Sequence, residues 1–442
     1  MTLSILTAAL TTAGVIGLLA AHHGALTQAV RDPLARFLLA AGAIVLLSHL
    51  LGALATRVGQ PKVVGEILAG LLLCPSLLGQ WWPELRHAVL TPDVVSSLDT
   101  IAQLGLVFFV YLLGADLDGA GLRNQRKAVG LVTTGSLLLP FAVGVLITVP
   151  AGPMLVSHPV SALFFGLALA ITALPVLARI LTELDLASTP TGALVLTSAA
   201  VGDAVAWLGL GAILVSAGIG RTADLLILVT ATAALAVLSI VCVRPALAAL
   251  AARAAGQGNR RGTVLPAVLV FGALAYAAAT QALGLHPIIG AFVFGLLLPR
   301  HSPAVGAANE HLRGFTSVAL LPLFFATVGL KTSFESFGTD PHAWLLLAVV
   351  LLAAMVTKVL GAAGGAMLGG LGRRQALRIG TLMNCRGVTE LIVASIGLRL
   401  HLVNEFGYTL LVLVALMTTA LAGPLLRIRA LRTDPISDMR KI

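Results

Sequence analysis

The stretch GEILAGLLLCP, Gly65–Pro75, returns in altered form as GAFVFGLLLP, Gly290–Pro299. Both read Gly, four residues, Gly-Leu-Leu-Leu, then proline. Each is entered from a proline, Pro61 in QPKVVG and Pro287 in HPIIG. The apolar runs that follow also correspond, LVFFVYLLGADLD from Leu106 and LPLFFATVGLKTS from Leu321. One match between Gly- and Leu-rich segments arises easily by chance. Two matches in the same order mark an internal repeat.

The solvent of that repeat follows from composition. Of 442 residues, 58% are hydrophobic and 10% charged, and the mean hydropathy is +1.01. A water-soluble chain has nowhere to hide so much apolar surface, so the surroundings are lipid. At ~20 residues per crossing, about fourteen candidate spans cover almost the whole chain. They lie near 3–20, 35–56, 63–79, 97–114, 127–150, 161–182, 192–217, 222–248, 262–284, 286–299, 313–333, 342–370, 376–398 and 404–427. The runs are continuous rather than alternating, which selects helices over a barrel. An odd number of crossings separates Gly65 from Gly290, so the two halves enter the membrane in opposite senses. Inverted repeats of this kind are a common build of secondary transporters. The expected layout is an extra helix and loop at 1–34, a first repeat at 35–217 and a linker at 218–261. A second repeat at 262–427 and a short basic tail at 428–442 complete it.

The formal charge of +10 is explained by placement. Lys and Arg crowd alternate loops, among them Arg123, Arg126, Lys127, Arg260, Arg261, Arg373 and Arg374, and the tail from Arg427. The opposite loops hold Arg31, Arg36, Arg86, Arg221 and Arg399. This positive-inside bias puts the first set and the C-terminus in the cytoplasm. It records topology and needs no nucleic-acid partner. The first span lacks a basic start and a good cleavage context, so it does not read as a signal peptide. With only a short tail after the last span, no soluble domain is expected. Cys74, Cys242 and Cys385 sit far apart inside apolar spans, which suits reduced, packed thiols and no metal site.

Matched spans in the two halves are interrupted. ALAITALPVLARIL carries Pro175 in mid-span, three residues after Thr172, and proline there breaks a helix. GTLMNCRGVTELIV brings Asn384, Arg386, Gly387, Thr389 and Glu390 to membrane depth. Broken helices at corresponding places are a sequence pointer to an ion site, because freed carbonyls and helix-end dipoles stabilise ions. The other charges within spans are Glu66, Asp203 and Lys358, with Asp116 and Lys331 near span ends. Each buried charge costs ~2.5–3.5 kcal/mol on insertion scales, so each needs a partner or a task. Glu66, Arg386 and Glu390 read as scaffold ion pairs, and Lys331 as a residue able to snorkel. His49 and His286 read as hydrogen-bonded core or interface histidines. Asp203 and Lys358 each stand alone among apolar neighbours in opposite halves. Burial and pairing act in opposite directions on such groups, which suits a site where a proton and a cation compete. The plain alternative is a structural salt bridge.

Taken together, these segments and LGLHPIIGAFVFGLLLPR, AAVGDAVAWLGL and LMNCRGVTELIV resemble the monovalent cation:proton antiporters. The closest likeness is to the branch of plant cation/H⁺ exchangers and bacterial potassium-efflux antiporters, from about Arg57 to Pro424. The resemblance implies an all-α membrane protein of about 13–14 helices, with a dimerisation domain and a mobile core. Two discontinuous helices, 161–182 and 376–398, would cross in that core. It implies a homodimer, an elevator-like movement and no cofactor. Asp203 matches the essential aspartate, Lys358 the core lysine that can pair with it or tune its response to pH, and Thr172 the crossing-helix polar residue. Lys331, Arg386 and Glu390 match further family charges, and Asp116 stands for a glutamate that would pair with Arg386. One departure is Gly202, where the family usually has Asp or Asn. Coordination would then come from backbone carbonyls, Thr172, Ser198 or water. A single titrating carboxylate implies electroneutral exchange of K⁺ or Na⁺ for H⁺ across the plasma membrane. An organic or drug cation is the alternative, with Gly202 widening the site. An intramembrane aspartyl protease is a remote third reading, since that chemistry needs two facing aspartates.

Overall fold

The computed structural model describes residues 32–117, 125–155, 159–256, 264–299, 302–331 and 341–427. The first expected span and the basic tail lie outside them. The described chain is nearly all helix. The first six elements are α1 (Pro33–Arg57), α2 (Lys62–Leu72), α3 (Pro92–Asp116), α4 (Arg126–Leu155), the pair α5 (Pro159–Ala170) and α6 (Leu174–Glu183), and α7 (Pro190–Ser216). Helix α8 runs through Thr222–Leu238, a π turn at Ser239–Val243 and Arg244–Gly256. The second set is α9 (Val264–Ala282), α10 (Pro287–Leu296), α11 (Pro303–Leu330) and α12 (Pro341–Leu368). The pair α13 (Arg373–Met383) and α14 (Val388–Arg399) and then α15 (Glu405–Arg427) close it. Six elements before α8 therefore correspond one to one with six after it, including the interrupted fifth.

Local chemistry starts these helices where they start. Asp32 caps α1 by accepting from the Leu34 amide at 2.9 Å, and Thr189 caps α7 by accepting from Gly192 at 3.1 Å. Proline fills the first turn of α1, α6, α7, α10 and of α11, where its missing N–H has no intrahelical partner to lose. Among the described residues, 9 helices are long and apolar enough to cross a membrane, and the protein is a multi-pass membrane protein. The expected spans at 63–79, 286–299 and 376–398 are shorter or broken, as the 11-residue α2 and 10-residue α10 show. Conversely, α11 starts at Pro303, because the amphipathic turn around NEHLR extends the helix beyond its apolar part.

The chain divides into two compact units. The first holds α1, α2, the short turns Leu78–Trp81 and Pro83–Val89, α3 up to Gly105, and α11 from Ser317. Its core gathers Ala40, Ile44, Leu98, Leu323 and Ala326. The second holds the remaining described helices around clusters that include Phe164, Phe165, Leu210, Val350 and Leu410, and Tyr111, Leu269 and Phe294. The opening repeat performs the same packing task in each unit. In the first, Gly65 lies against the backbone of Leu51 on α1, and Gly70 against Ala326 on α11. In the second, Gly290 lies against Tyr276 on α9, and Gly295 against Tyr111 on α3. A Cβ at any of the four would overlap a backbone carbonyl. The fourth helices of the two halves also cross on glycine, Gly135 of α4 against Gly361 of α12.

Cys74 and Cys385 are buried as packed thiols, whereas Cys242 is exposed. Its exposure corrects the expectation for that residue. It sits on the π turn of α8, a helix that is mostly open to its surroundings.

Candidate functional site

The two interrupted helices meet at their interruptions. Helix α5 ends at Ala170 and α6 begins at Leu174, so Pro175 lies in the first turn of a new helix rather than kinking an existing one. Helix α13 ends at Met383, Asn384 caps it, and Gly387 precedes α14. Across the gap the Ala173 amide donates to the Cys385 carbonyl at 3.0 Å, and Thr172 Oγ1 donates to the Met383 carbonyl at 3.3 Å. A Cβ on Gly387 would stand 2.8 Å from a Val176 methyl, so glycine lets the two broken segments approach. Two carbonyl-bearing and two amide-bearing helix ends thus converge in the interior, and each carries a partial charge available to an ion.

Asp203 on α7 is 1% exposed, and neither carboxylate oxygen has a hydrogen-bond partner among the described residues. Lys358 of α12, itself fully buried, lies within electrostatic reach of it. The expected hydrogen-bonded pair is not formed, however. Lys358 Nζ donates instead to the Ala170 carbonyl, the C-terminal end of α5, where a helix dipole favours a cation. Sequence spacing carries no sign of that bond, because a carbonyl acceptor leaves no mark on residue type.

Ser198 and Gly202, one turn apart on α7, adjoin α4. Ser198 Oγ donates to the Val129 carbonyl at 3.5 Å, and its own carbonyl accepts from Thr133 Oγ1 at 3.2 Å. A Cβ on Gly202 would find its nearest atoms, on Leu137 and Thr133, at 4.0 Å. A Cβ there would sit in ordinary van der Waals contact with α4 and clash with nothing.

The remaining charges sort into pairs, not all of them expected. Arg386 donates to Glu390 at 3.3 Å, with both side chains wholly buried. Thr419 holds the Arg386 backbone at both its N–H and its carbonyl. Asp116 does not pair with Arg386. Its two oxygens accept from Arg313 of α11 at 2.8 Å each, a bidentate bridge. Arg313 lies at the edge of the expected span 313–333, just before the apolar part of α11, where no local pattern marks it as the partner of Asp116. Lys331 belongs to the other unit from Asp203 and pairs with Asp99 at 2.6 Å. Glu66 is buried in α2. His49 bonds the Val318 carbonyl at 2.8 Å, and His286 caps α10 by accepting from Ile288 at 3.4 Å, in keeping with hydrogen-bonded core roles.

A family model described as "Sodium/hydrogen exchanger, transmembrane" matches residues 43–430. The chain belongs to the sodium/hydrogen exchanger family. Within that family it is 34% identical over 390 residues to cation/H(+) antiporter 19 of Arabidopsis thaliana, covering 86% of this chain and 48% of the relative. It is 32% identical to the Na(+)/H(+) antiporter NhaS4 of Synechocystis, covering 86% of this chain and 94% of the relative. With the K(+)/H(+) antiporter 1 of Saccharomyces cerevisiae the identity is 27%, over 89% of this chain and 46% of the relative. The chain thus spans about half the length of its plant and yeast relatives and nearly all of the cyanobacterial one. The fold is also that of the sodium proton antiporter MjNhaP1 from Methanocaldococcus jannaschii. One structure of that protein superposes with a TM-score of 0.55 at 15% identity, over 88% of this chain and 96% of the other.

Proposed function

We propose that the protein exchanges a monovalent cation, K⁺ or Na⁺, for H⁺, with Asp203 as the group both share. The observation that carries this reading is the buried, unbonded carboxylate of Asp203 in the unit where the two interrupted helices cross. A bare carboxylate has no stable place in an apolar interior, so it is occupied by a proton or by a cation. Relatives named for cation, Na⁺ and K⁺ exchange support the substrate class.

In this reading Thr172, Ser198 and the carbonyls at the crossing complete the site beside Gly202. The loaded core moves across the membrane as an elevator, while an empty charged site does not. Residues 35–217 and 262–427 are the inverted repeats, joined by 218–261. The working unit is a homodimer in the plasma membrane with its C-terminus in the cytoplasm, following the placement of Lys and Arg. Glu66, Asp116, Arg386 and Glu390 are scaffold charges, and Lys331 is an ion-pair partner, here of Asp99.

The test is flux in proteoliposomes with Li⁺, Na⁺, K⁺ and Rb⁺ at two pH values. Cation-driven proton movement is expected, unaltered when a membrane potential is imposed, because one carboxylate trades one charge for one. Potential-dependent rates would overturn electroneutrality, and no proton movement with any of the four would overturn the reading. Lys358→Ala removes a positive charge that competes with the cation for Asp203. The apparent KM for the cation is expected to fall, roughly tenfold for each 1.4 kcal/mol of repulsion lost, and an unchanged KM would make Lys358 scaffold only. A second reading, an organic cation, draws on the absence of a side chain at Gly202; counterflow of labelled organic cations against K⁺ and Na⁺ separates the two.

A further inference from the structure

Asn384 has an amide that none of the described residues bonds. The residue is completely buried, and neither its Nδ2 nor its Oδ1 has a hydrogen-bond partner among the described residues. A buried polar group left unpaired costs roughly 1–3 kcal/mol, and native interiors seldom keep one without a ligand or water to bond it. Thr389 Oγ1, in the first turn of the following helix, is buried and unbonded as well. The break between α13 and α14 therefore holds more polar atoms than the surrounding protein satisfies.

Position makes Asn384 the more informative of the two. The residues on either side of it are pinned to the other break, Met383 through Thr172 and Cys385 through Ala173. Asn384 is thus held at the crossing itself. The same first break begins at Ala170, whose carbonyl binds Lys358, and Lys358 lies within electrostatic reach of Asp203. On α7, meanwhile, the residue beside Asp203 is Gly202, which brings no side-chain oxygen of its own.

We propose that the Asn384 amide oxygen is a ligand of the carried cation, supplying from α13 the neutral oxygen that Gly202 does not offer. This rests on the reading of Asp203 as the shared site. Alkali cations are hard and take carbonyl and carboxylate oxygens. An amide oxygen gains nothing from the proton that competes at Asp203. Asn384 therefore strengthens cation binding without strengthening proton binding, and tilts the competition at the carboxylate.

The experiment compares wild type, Asn384→Ala, Asn384→Leu, Asn384→Asp and Asp203→Asn in two assays. One is exchange in proteoliposomes; the other is the rise in melting temperature of the detergent-solubilised protein on adding Na⁺ or K⁺. Asn384→Ala and the near-isosteric Asn384→Leu are expected to raise the cation KM about tenfold or more, to change the Li⁺, Na⁺, K⁺, Rb⁺ order and to abolish the thermal shift. Asn384→Asp is expected to make exchange sensitive to membrane potential, because it adds a second charge at the site. Wild-type KM, ion order and thermal shift in Ala and Leu variants that fold would overturn the assignment. So would failure of both to fold, which would make Asn384 a structural cap. If Asp203→Asn keeps exchange and thermal shift, the Asp203 reading fails on its own; a lost shift in Asn384→Leu would still locate a cation ligand at the crossing.

Discussion

Asp203→Asn is expected to give a protein that folds and inserts normally but moves no protons when a cation gradient is applied. The carboxylate lies buried with neither oxygen bonded among the described residues, so the amide loses no hydrogen bond seen there. It also removes the cost of a charge in an apolar interior, and the melting temperature should hold or rise. Function should go the other way. An amide neither releases a proton in the working pH range nor offers a negative charge to a cation. Both half-cycles lose their ligand, and exchange in proteoliposomes should fall by at least about a hundredfold, equivalent to ~2.7 kcal/mol of lost stabilisation. A variant that is stable and exchanges at the wild-type rate would show that another group carries the proton.

A substitution that alters no charge should have the opposite profile, destroying stability. At the contact of α4 and α12 a Cβ on Gly361 would overlap the Gly135 carbonyl oxygen, and the reverse holds for Gly135. Overpacking typically costs ~1–3 kcal/mol, and here the obstructing atom is backbone that has no rotamer to give way. Gly361→Val is expected to lower the melting temperature sharply or to yield aggregate on size exclusion. Gly364, one turn along the same helix, has nothing within 4 Å of the place its Cβ would take. Gly364→Val should be neutral, since replacing glycine in a helix removes a backbone cost of up to ~1 kcal/mol. Equal melting curves for the two variants would refute the packing argument.

These two residues also mark what a reader of the sequence can and cannot obtain. Lipid forbids unpaired backbone, so each span must be written as one continuous apolar run, and the runs at 35–56, 192–217 and 342–370 fall close to α1, α7 and α12. The interruptions are legible for the same reason, because Pro175 and the polar cluster from Asn384 to Glu390 conflict with their surroundings. Partners are not legible where they depend on tertiary placement. Asp116 meets Arg313 across 197 positions of chain, and Asp99 meets Lys331; neither bond is marked by local pattern. Lys358 stands out in the sequence as exceptional, but its acceptor is the Ala170 carbonyl, which every residue type possesses. The length of α2 is overestimated from sequence because the apolar run continues past Leu72 through turns that no longer form helix.

The exchanged glycine contacts carry a consequence for how such a chain is made. Gly70 in the first half rests on α11 of the second, and Gly295 in the second half rests on α3 of the first. Each half lends its third helix to the other, like two hands with interlaced fingers. Each half thus draws part of its packing from the other, and neither is expected to fold alone despite the duplicated pattern. A ribosome that has finished only the first half has therefore made a product that must wait in the bilayer, its glycine seats unfilled, until the second half arrives.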